Sequence, residues 1–173
     1  MNKTCGTPSP FDPSQSPNEG LMHAIYHNNI EGVKMSLAAG ANVNTSNNFL
    51  GWESTPLIEA AQKGNLQVVQ WLIDGGADLD ASDLHGKTAL MWAAGSGYDK
   101  VVQLLIDNGA DFERKDNEGK TALDQIAWMK SYVPFGSTQP LGNNVPTIHV
   151  LNAAKASKQV KQKSKTRRPN LKP

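Results

Sequence analysis

The sequence predicts an all-α solenoid of stacked helix–turn–helix units, connected by turns and by one longer finger. Three stretches of the chain align with one another at a spacing of 33 residues, beginning at Thr55, Thr88 and Thr121. The second half of the unit repeats as well, since residues 68–78 match residues 101–111. Repetition at a period of this length is typical of chains that build one structural unit several times.

The first half of each unit has the pattern of a short helix. Thr55 suits the N-cap because its hydroxyl can accept a hydrogen bond from an amide of the first turn, and Pro56 suits the first helical position. Leu57 and the alanines that follow it share one face at helical spacing. Gly64 can adopt the left-handed conformation that ends the helix, as Gly97 can in the next unit.

The second half of each unit predicts another helix, followed by a turn. Its apolar face is predicted at Leu66, Val69 and Ile73. Residues 83–86 and 116–119 both begin with Asp and end with Gly, which is typical of a turn in which the carboxylate accepts backbone amides. A single unit cannot bury its own apolar face, so neighbouring units are expected to stabilise one another.

These residues resemble the ankyrin repeat, which has a 33-residue period and the sequence T-P-L-H-x-A. The resemblance covers residues 20–156 and implies an ankyrin-repeat solenoid. The family's histidine is replaced here by Ile58, Met91 or Asp124, so the hydrogen bonds it makes to a neighbouring loop are not expected. The resemblance further implies that partners bind to the turn tips and to the exposed side of the first helix in each unit.

The domain organisation follows from the limits of the pattern. Residues 1–19 are predicted to be a disordered leader because they are rich in Pro, Ser, Thr and Asn. The ankyrin-repeat domain is predicted at 20–156, and a disordered basic tail at 157–173. Four repeats are predicted, at residues 20–44, 55–80, 88–113 and 121–156. In the fourth, residues 130–145 are predicted to form a loop and residues 147–155 a capping second helix.

Charge divides the chain into two parts. Residues 155–173 contain eight Lys or Arg and no acid, whereas residues 1–154 contain nine basic and sixteen acidic residues, a net of −7. The first interpretation of the tail is a solvated helix end, and the second is a nuclear-import or nucleic-acid patch. The residues of that patch are Lys161, Lys163, Lys165, Arg167 and Arg168. No aromatic residue alternates with them, so base stacking is not predicted.

The single cysteine, Cys5, cannot form an internal disulfide, which favours a reducing compartment. No stretch is apolar enough for a signal peptide or a bilayer span. The sequence therefore predicts a cytoplasmic or otherwise intracellular protein without membrane contact. Nuclear localisation is the alternative that the basic tail suggests.

No catalytic set stands out. His23 and His27 have the spacing of two metal ligands on a helix, but no third ligand is near them in the sequence. His85 belongs to a predicted turn, and Cys5 lies in the leader without an ordered, electropositive surrounding. We therefore expect no enzyme activity, no cofactor and no metal.

The predicted partner surface combines the finger, the turn tips and the groove. The insertion before Thr55 carries three large apolar side chains in a connection that is expected to project. The predicted partner-binding residues are Phe49, Leu50, Trp52, Trp92, Leu84, His85, Trp128, Met129 and Tyr26. For Trp92 and Trp128, packing against adjacent units is an equal alternative, whereas Trp71 aligns with Leu104 and is predicted in the core.

Three functions follow from these observations. The first is a protein-binding adaptor that is monomeric when alone and whose partner is another protein. The second is a nucleic-acid-associated or nuclear regulatory factor that uses the basic tail. The third is an accessory subunit or inhibitor of an enzyme.

Overall fold

A computed structural model describes residues 16–46, 53–131 and 145–166, with side chains described within 16–46, 53–126 and 146–158. Eight α-helices lie in these ranges: α1 (Pro17–Tyr26), α2 (Ile30–Ala38), α3 (Pro56–Lys63), α4 (Leu66–Asp74), α5 (Ala89–Ser96), α6 (Asp99–Asp107), α7 (Ala122–Ser131) and α8 (Val145–Thr166). The described residues contain no β-strand beyond an isolated bridge between Ser82 and Thr88. The predicted all-α fold class is confirmed.

The helices form two rows. The first helix of each unit belongs to an inner row, in which α1 packs on α3, α3 on α5 and α5 on α7. The second helices form an outer row, in which α4 packs on α6 and α6 on α8. Alanines in the inner row, such as Ala60 and Ala93, have no exposed surface, so the helix backbones can approach each other closely.

The predicted N-caps are confirmed in the two central units. Thr55 Oγ1 accepts a hydrogen bond from the Ile58 amide at 3.3 Å, and Thr88 Oγ1 accepts from the Met91 amide at 3.4 Å. In the fourth unit the threonine donates hydrogen bonds instead of accepting one. The amide and hydroxyl of Thr121 both donate to Asp124 Oδ2, at 2.8 and 2.7 Å. These bonds lower the pKa of Asp124 below its usual value.

The turn between the two helices of a unit uses a left-handed residue. Gly64 and Gly97 have φ values of 70° and 77°, and Asn28 takes the same place in the first unit with φ 54°. Glycine is needed at position 64 for a second reason. A Cβ there would lie 2.6 Å from the ring of Tyr98, the residue that begins the next outer helix.

One prediction for the outer row is wrong, and another is met in part. Leu66 is 40% exposed, and the buried face of α4 is formed by Val68, Val69 and Leu72 instead. Trp71 packs against the core, as does its equivalent Leu104, but both are only half-buried, and the Lys34 ammonium lies 5.6 Å from the Trp71 ring centroid.

Both predicted domain limits also need correction. Helix α1 begins at Pro17, within the predicted leader, because Ser16 and Glu19 form a capping box and proline is tolerated at the first position. At the other end, α8 continues to Thr166, so residues 157–166 of the predicted disordered tail are helical. Residues 1–15, the tail from 167 and most of the predicted loop, at 132–144, lie outside the described residues.

The predicted capping helix is present and longer than expected. Leu151 of α8 is buried, and Ile148, Val150 and Ala154 pack against the core. Helix α8 thus takes the place of an outer helix in the fourth unit, next to α6.

Candidate functional site

Two turns project from the stack in front of the inner helices. In the first, Asp83 Oδ1 accepts hydrogen bonds from the amides of His85 and Lys87, both at 2.9 Å. In the second, Asp116 Oδ1 accepts from the amides of Glu118 and Lys120, at 3.0 and 2.8 Å. The predicted role of the aspartates is confirmed, and both turns have the same backbone shape.

The second carboxylate oxygen attaches each turn to its inner helix. Trp92 Nε1 donates to Asp83 Oδ2 at 2.9 Å, and Gln125 Nε2 donates to Asp116 Oδ2 at 2.7 Å. Trp92 and Gln125 occupy equivalent positions, directly after those where the ankyrin pattern has its histidine. A side-chain donor therefore does reach the turn, from a position that the sequence analysis assigned to the groove.

The two turns also contact each other. The Asn117 amide donates to the His85 carbonyl at 3.0 Å, and Asn117 Nδ2 donates to the Leu84 carbonyl at 2.9 Å. This arrangement leaves the Leu84 side chain 53% exposed at the tip, next to exposed His85. The structure thus places both predicted tip residues next to each other on a turn that is hydrogen-bonded to the next one.

Further along the inner row, aromatic and charged side chains cluster on α1 and α3. Tyr26 is 41% exposed, its ring lies edge-on to His27 at 5.2 Å, and the Lys63 ammonium lies 4.4 Å from its centroid. Lys63 also lies 3.7 Å from Glu59, one turn earlier on α3. The rings of His23 and His27 lie 4.4 Å apart between centroids and are tilted by 48°. The exposed side of the inner row therefore offers a mixed aromatic and polar surface.

Trp92 combines both interpretations that the sequence left open. It is half-buried against the core, its N–H is engaged by Asp83, and the Lys87 ammonium lies 5.0 Å from its ring centroid. The residue is thus a part of the turn framework, and only the remainder of its ring faces solvent.

Several predicted residues cannot be placed in this site. Phe49, Leu50, Trp52, Arg167 and Arg168 lie outside the described residues. Trp128 and Met129 belong to α7, and Lys161, Lys163 and Lys165 belong to α8, but their side chains lie outside the described part. Their roles remain predictions.

The segments that follow the outer helices carry a ladder of polar side chains. Asn44 Oδ1 accepts a hydrogen bond from the Asp78 amide at 2.8 Å, and Asp80 Oδ1 accepts from the Asp111 amide at 2.9 Å. Glu113 is the equivalent of Asp80 in the third unit, and its carboxylate accepts a hydrogen bond from the Lys158 ammonium of α8. That hydrogen bond raises the pKa of Lys158.

The chemistry of the described residues does not suggest a metal centre. Among them, no group of three or more His, Cys, Asp and Glu is arranged to hold a metal ion, and His23 and His27 remain a pair. Within the same residues, no helix combines the length and the apolar character that a membrane crossing requires.

Comparison with known proteins identifies the repeat. Residues 21–116, more than half of the chain, match the family model for ankyrin repeats in three copies. The chain is 36% identical over 83 residues to glycerophosphocholine phosphodiesterase gde1 of Schizosaccharomyces pombe, covering 46% of this chain. It is 34% identical over 75 residues, or 43% of this chain, to the rat and human forms of Arf-GAP with coiled-coil, ANK repeat and PH domain-containing protein 2.

These similarities cover a small part of each relative. The matched region is 7% of the phosphodiesterase and 10% of the Arf-GAP proteins. What is shared is therefore a stretch of repeats within much longer chains.

Proposed function

The chain belongs to the ankyrin-repeat family, and on this premise we propose that it binds another protein through its turn tips and inner-helix face. Ankyrin repeats generally act as protein–protein interaction modules. The finer proposal is an adaptor whose contact surface includes Leu84 and His85 at the tip and Tyr26 and Trp92 in the groove. A catalytic role is not part of it.

The observation that carries the proposal is an exposed apolar tip on a turn that hydrogen bonds hold in place. The Leu84 side chain is 53% exposed although its turn is held by Asp83 and by Asn117 of the next unit. A preformed surface loses little conformational freedom on binding, so its apolar area contributes more fully to affinity. Tyr26 extends the same surface towards the N-terminal end of the inner row.

A matched pair of leucine substitutions tests this surface. The full-length chain and its Leu84→Ala and Tyr26→Ala variants would be used as baits in quantitative affinity purification. Leu66→Ala is the control, because Leu66 is a similarly exposed leucine on the outer row. Partners bound by the proposed surface should be depleted at least several-fold with either test variant and retained with Leu66→Ala.

The proposal fails if all three variants retain the same partners. It also fails if Leu66→Ala depletes them as strongly, because the contact would then not be specific to the tip and groove. Unfolding measured by circular dichroism should be unchanged in each variant, so that loss of binding is not loss of fold.

The remaining predicted residues enter the proposal as its extensions. Phe49, Leu50 and Trp52 would lengthen the tip surface in front of α3, and Trp128 and Met129 would continue the groove along α7. Trp92 is a poor test residue, because its removal also breaks the hydrogen bond to Asp83.

Two alternatives make different predictions. A nucleic-acid-associated function through the basic tail is favoured by eight Lys or Arg in residues 155–173. It would give binding that falls steeply with salt and does not change in Leu84→Ala. An accessory subunit or inhibitor would use the same tip and groove as the adaptor, and it would be recognised by co-purification with one enzyme.

A further inference from the structure

The first unit, α1 with α2, packs less extensively on its neighbour than the other units do. In the inner row α1 has a smaller contact with α3 than α3 has with α5 or α5 with α7. In the outer row α4 packs on α6 and α6 on α8, but α2 has no contact of that extent with α4. Within the unit the order is reversed, because α1 and α2 pack on each other more extensively than α3 and α4 do. The first unit is thus joined more closely within itself than to the stack.

The buried face of α2 is smaller than that of α4. Both helices are capped by an asparagine, Asn29 and Asn65, so their positions can be matched from that residue. The buried residues of α4 are Val68, Val69 and Leu72, and the equivalent residues of α2 are Gly32, Val33 and Ser36. Gly32 lets the two helices of the unit approach each other, since a Cβ there would lie 2.9 Å from that of Ala24. The same two replacements remove most of the apolar surface that an outer helix can bury.

Ser36 also places a hydroxyl group in the core. The residue is 1% exposed, and its Oγ has no hydrogen-bond partner among the described residues. The equivalent residues of the next two units are Leu72 and Leu105, which are fully buried. A buried hydroxyl without a partner destabilises the docked form, because the group regains its hydrogen bonds to water when the unit opens.

The hydrogen bonds between the side chains of the first unit and the second unit lie at the surface. Asn65 Nδ2 donates to Asn28 Oδ1 at 2.8 Å, and the Asp78 amide donates to Asn44 Oδ1 at 2.8 Å, both in exposed positions. Exposed hydrogen bonds are replaced by bonds to water at little cost in free energy. The docked form therefore depends mainly on the apolar contact of the inner row, where Leu21 is fully buried.

We propose that α1 and α2 open from the second unit together, as one cooperative unit, while α3 to α6 stay folded. Opening divides the tip and groove surface, since Tyr26 moves with α1, whereas the Lys63 ammonium, 4.4 Å from its ring centroid, stays with α3. A partner that contacts both residues binds only the closed form and holds the first unit in place. This consequence rests on the proposed function, and the opening itself does not.

Hydrogen exchange of the full-length chain without a partner, followed by mass spectrometry, tests the opening. Amides of α1 and α2 should exchange together and at least about tenfold faster than those of α3 to α6, because local opening requires less free energy than unfolding of the whole chain. Equal protection in the first three units would overturn the proposal.

Ser36→Ala removes the unpaired hydroxyl and keeps the rest of the side chain. Protection of α1 and α2 should rise by about five- to a hundredfold, as expected when an unpaired buried polar group is removed. Ser157→Ala is the control, because it makes the same change in α8, where Ser157 Oγ donates to the Ala153 carbonyl at 3.0 Å. The control should leave exchange in α1 and α2 unchanged, and the same lack of effect in Ser36→Ala would contradict the proposal.

A matched pair of valine substitutions tests whether the first unit opens alone. Val33 and Val69 are equivalent residues of α2 and α4, and both are fully buried. Val33→Ala should lower the protection of α1 and α2 only, whereas Val69→Ala should also lower that of α3 to α6. If Val33→Ala lowers protection equally in all units, the chain opens as one body and the proposal is wrong.

The Tyr26→Ala bait separates this inference from the proposed function. If Tyr26→Ala retains every partner, the binding surface is wrong, and the exchange measurements still decide the opening. If Tyr26→Ala loses a partner, adding that partner to the wild-type chain should slow exchange in α1 and α2. Exchange that the partner leaves unchanged would refute the link between binding and closure.

Discussion

Single side chains decide how the turns are held in front of the helices. Asp83 is nearly buried, with 9% of its surface exposed, and all its hydrogen bonds come from its own turn and from Trp92. A carboxylate in such a place is stable only when donors surround it, because a buried charge without partners is costly. Gln125 donates an N–H to the Asp116 carboxylate as Trp92 does to the Asp83 carboxylate, although the two side chains are otherwise different.

Trp92→Phe should destabilise the chain by about 1–3 kcal/mol, since it leaves Asp83 Oδ2 buried without its donor. Trp71→Phe is the control, because Trp71 is also half-buried but its indole N–H has no hydrogen-bond partner among the described residues. Urea unfolding of both variants measures the difference. Equal losses of unfolding free energy in the two variants would show that the size of the ring matters and the hydrogen bond does not.

Gly64→Ala should destabilise the chain for two separable reasons. A left-handed alanine costs about 1–2 kcal/mol by itself, and the new methyl group also meets the Tyr98 ring. Gly76→Ala isolates the first effect, because φ there is 83° and no atom lies within 4 Å of the added carbon. The melting temperature of Gly64→Ala should therefore be clearly lower than that of Gly76→Ala. Similar melting temperatures would contradict the predicted collision with the Tyr98 ring.

At the scale of elements, the units share a plan but differ in how their helices begin. The inner helices α3 and α5 begin with a threonine that accepts an amide, as the sequence predicts. Helix α7 begins with an aspartate that accepts both donors of Thr121. A negative charge at this end also interacts favourably with the helix dipole, so the start of α7 depends on ionisation, whereas the threonine caps of α3 and α5 do not.

Asp124→Ala should destabilise the chain at neutral pH, and the difference from wild type should vanish in acid. The folded-state pKa of Asp124 lies below its usual 3.8. Its contribution is therefore complete above that value and is lost as the pH falls through the lower folded-state pKa. Unfolding free energies of both proteins from about pH 7 to about pH 2 measure this, and a constant difference would exclude an ionised cap.

At the scale of the whole molecule, stability comes from the interfaces between units. The fully buried residues include Leu72 and Leu105, at equivalent places in α4 and α6, and Leu151 in the capping helix α8. Because each unit touches only its neighbours, the loss of one interface is felt first by the units beside it. Lys158 makes the last contact of this kind. In the second unit Asp80 accepts the backbone amide of Asp111 from the next unit, whereas the equivalent Glu113 pairs with the Lys158 ammonium.

Leu105→Ala should cost about 2–5 kcal/mol, as expected for a cavity at a fully buried site. Leu66→Ala, at a 40% exposed leucine of the same row, should cost much less. Hydrogen exchange should show the loss of protection in α6 and α8 before α1 and α2. Uniform loss of protection along the chain would instead indicate that the stack unfolds as one unit.

The repeat, its register and its turns were determined by the sequence, because they depend on local chemistry. Threonine and asparagine side chains cap helices, glycine takes positive φ, and aspartate binds its own turn wherever these residues occur. The 33-residue period then dictates that units stack. The predicted partner residues followed from the same register; Leu84, His85 and Tyr26 are exposed, and their role in partner binding stays a prediction.

Contacts between distant residues could be decided only by the tertiary structure. Periodicity on one helix cannot tell that Leu66 is 40% exposed, or that Trp92 donates to an aspartate nine residues earlier. Nor does a run of lysines indicate that Lys158 forms ion pairs with Asp111 and Glu113. These features depend on what the rest of the chain places beside each residue, because burial and charge pairing depend on surroundings that the local sequence does not specify.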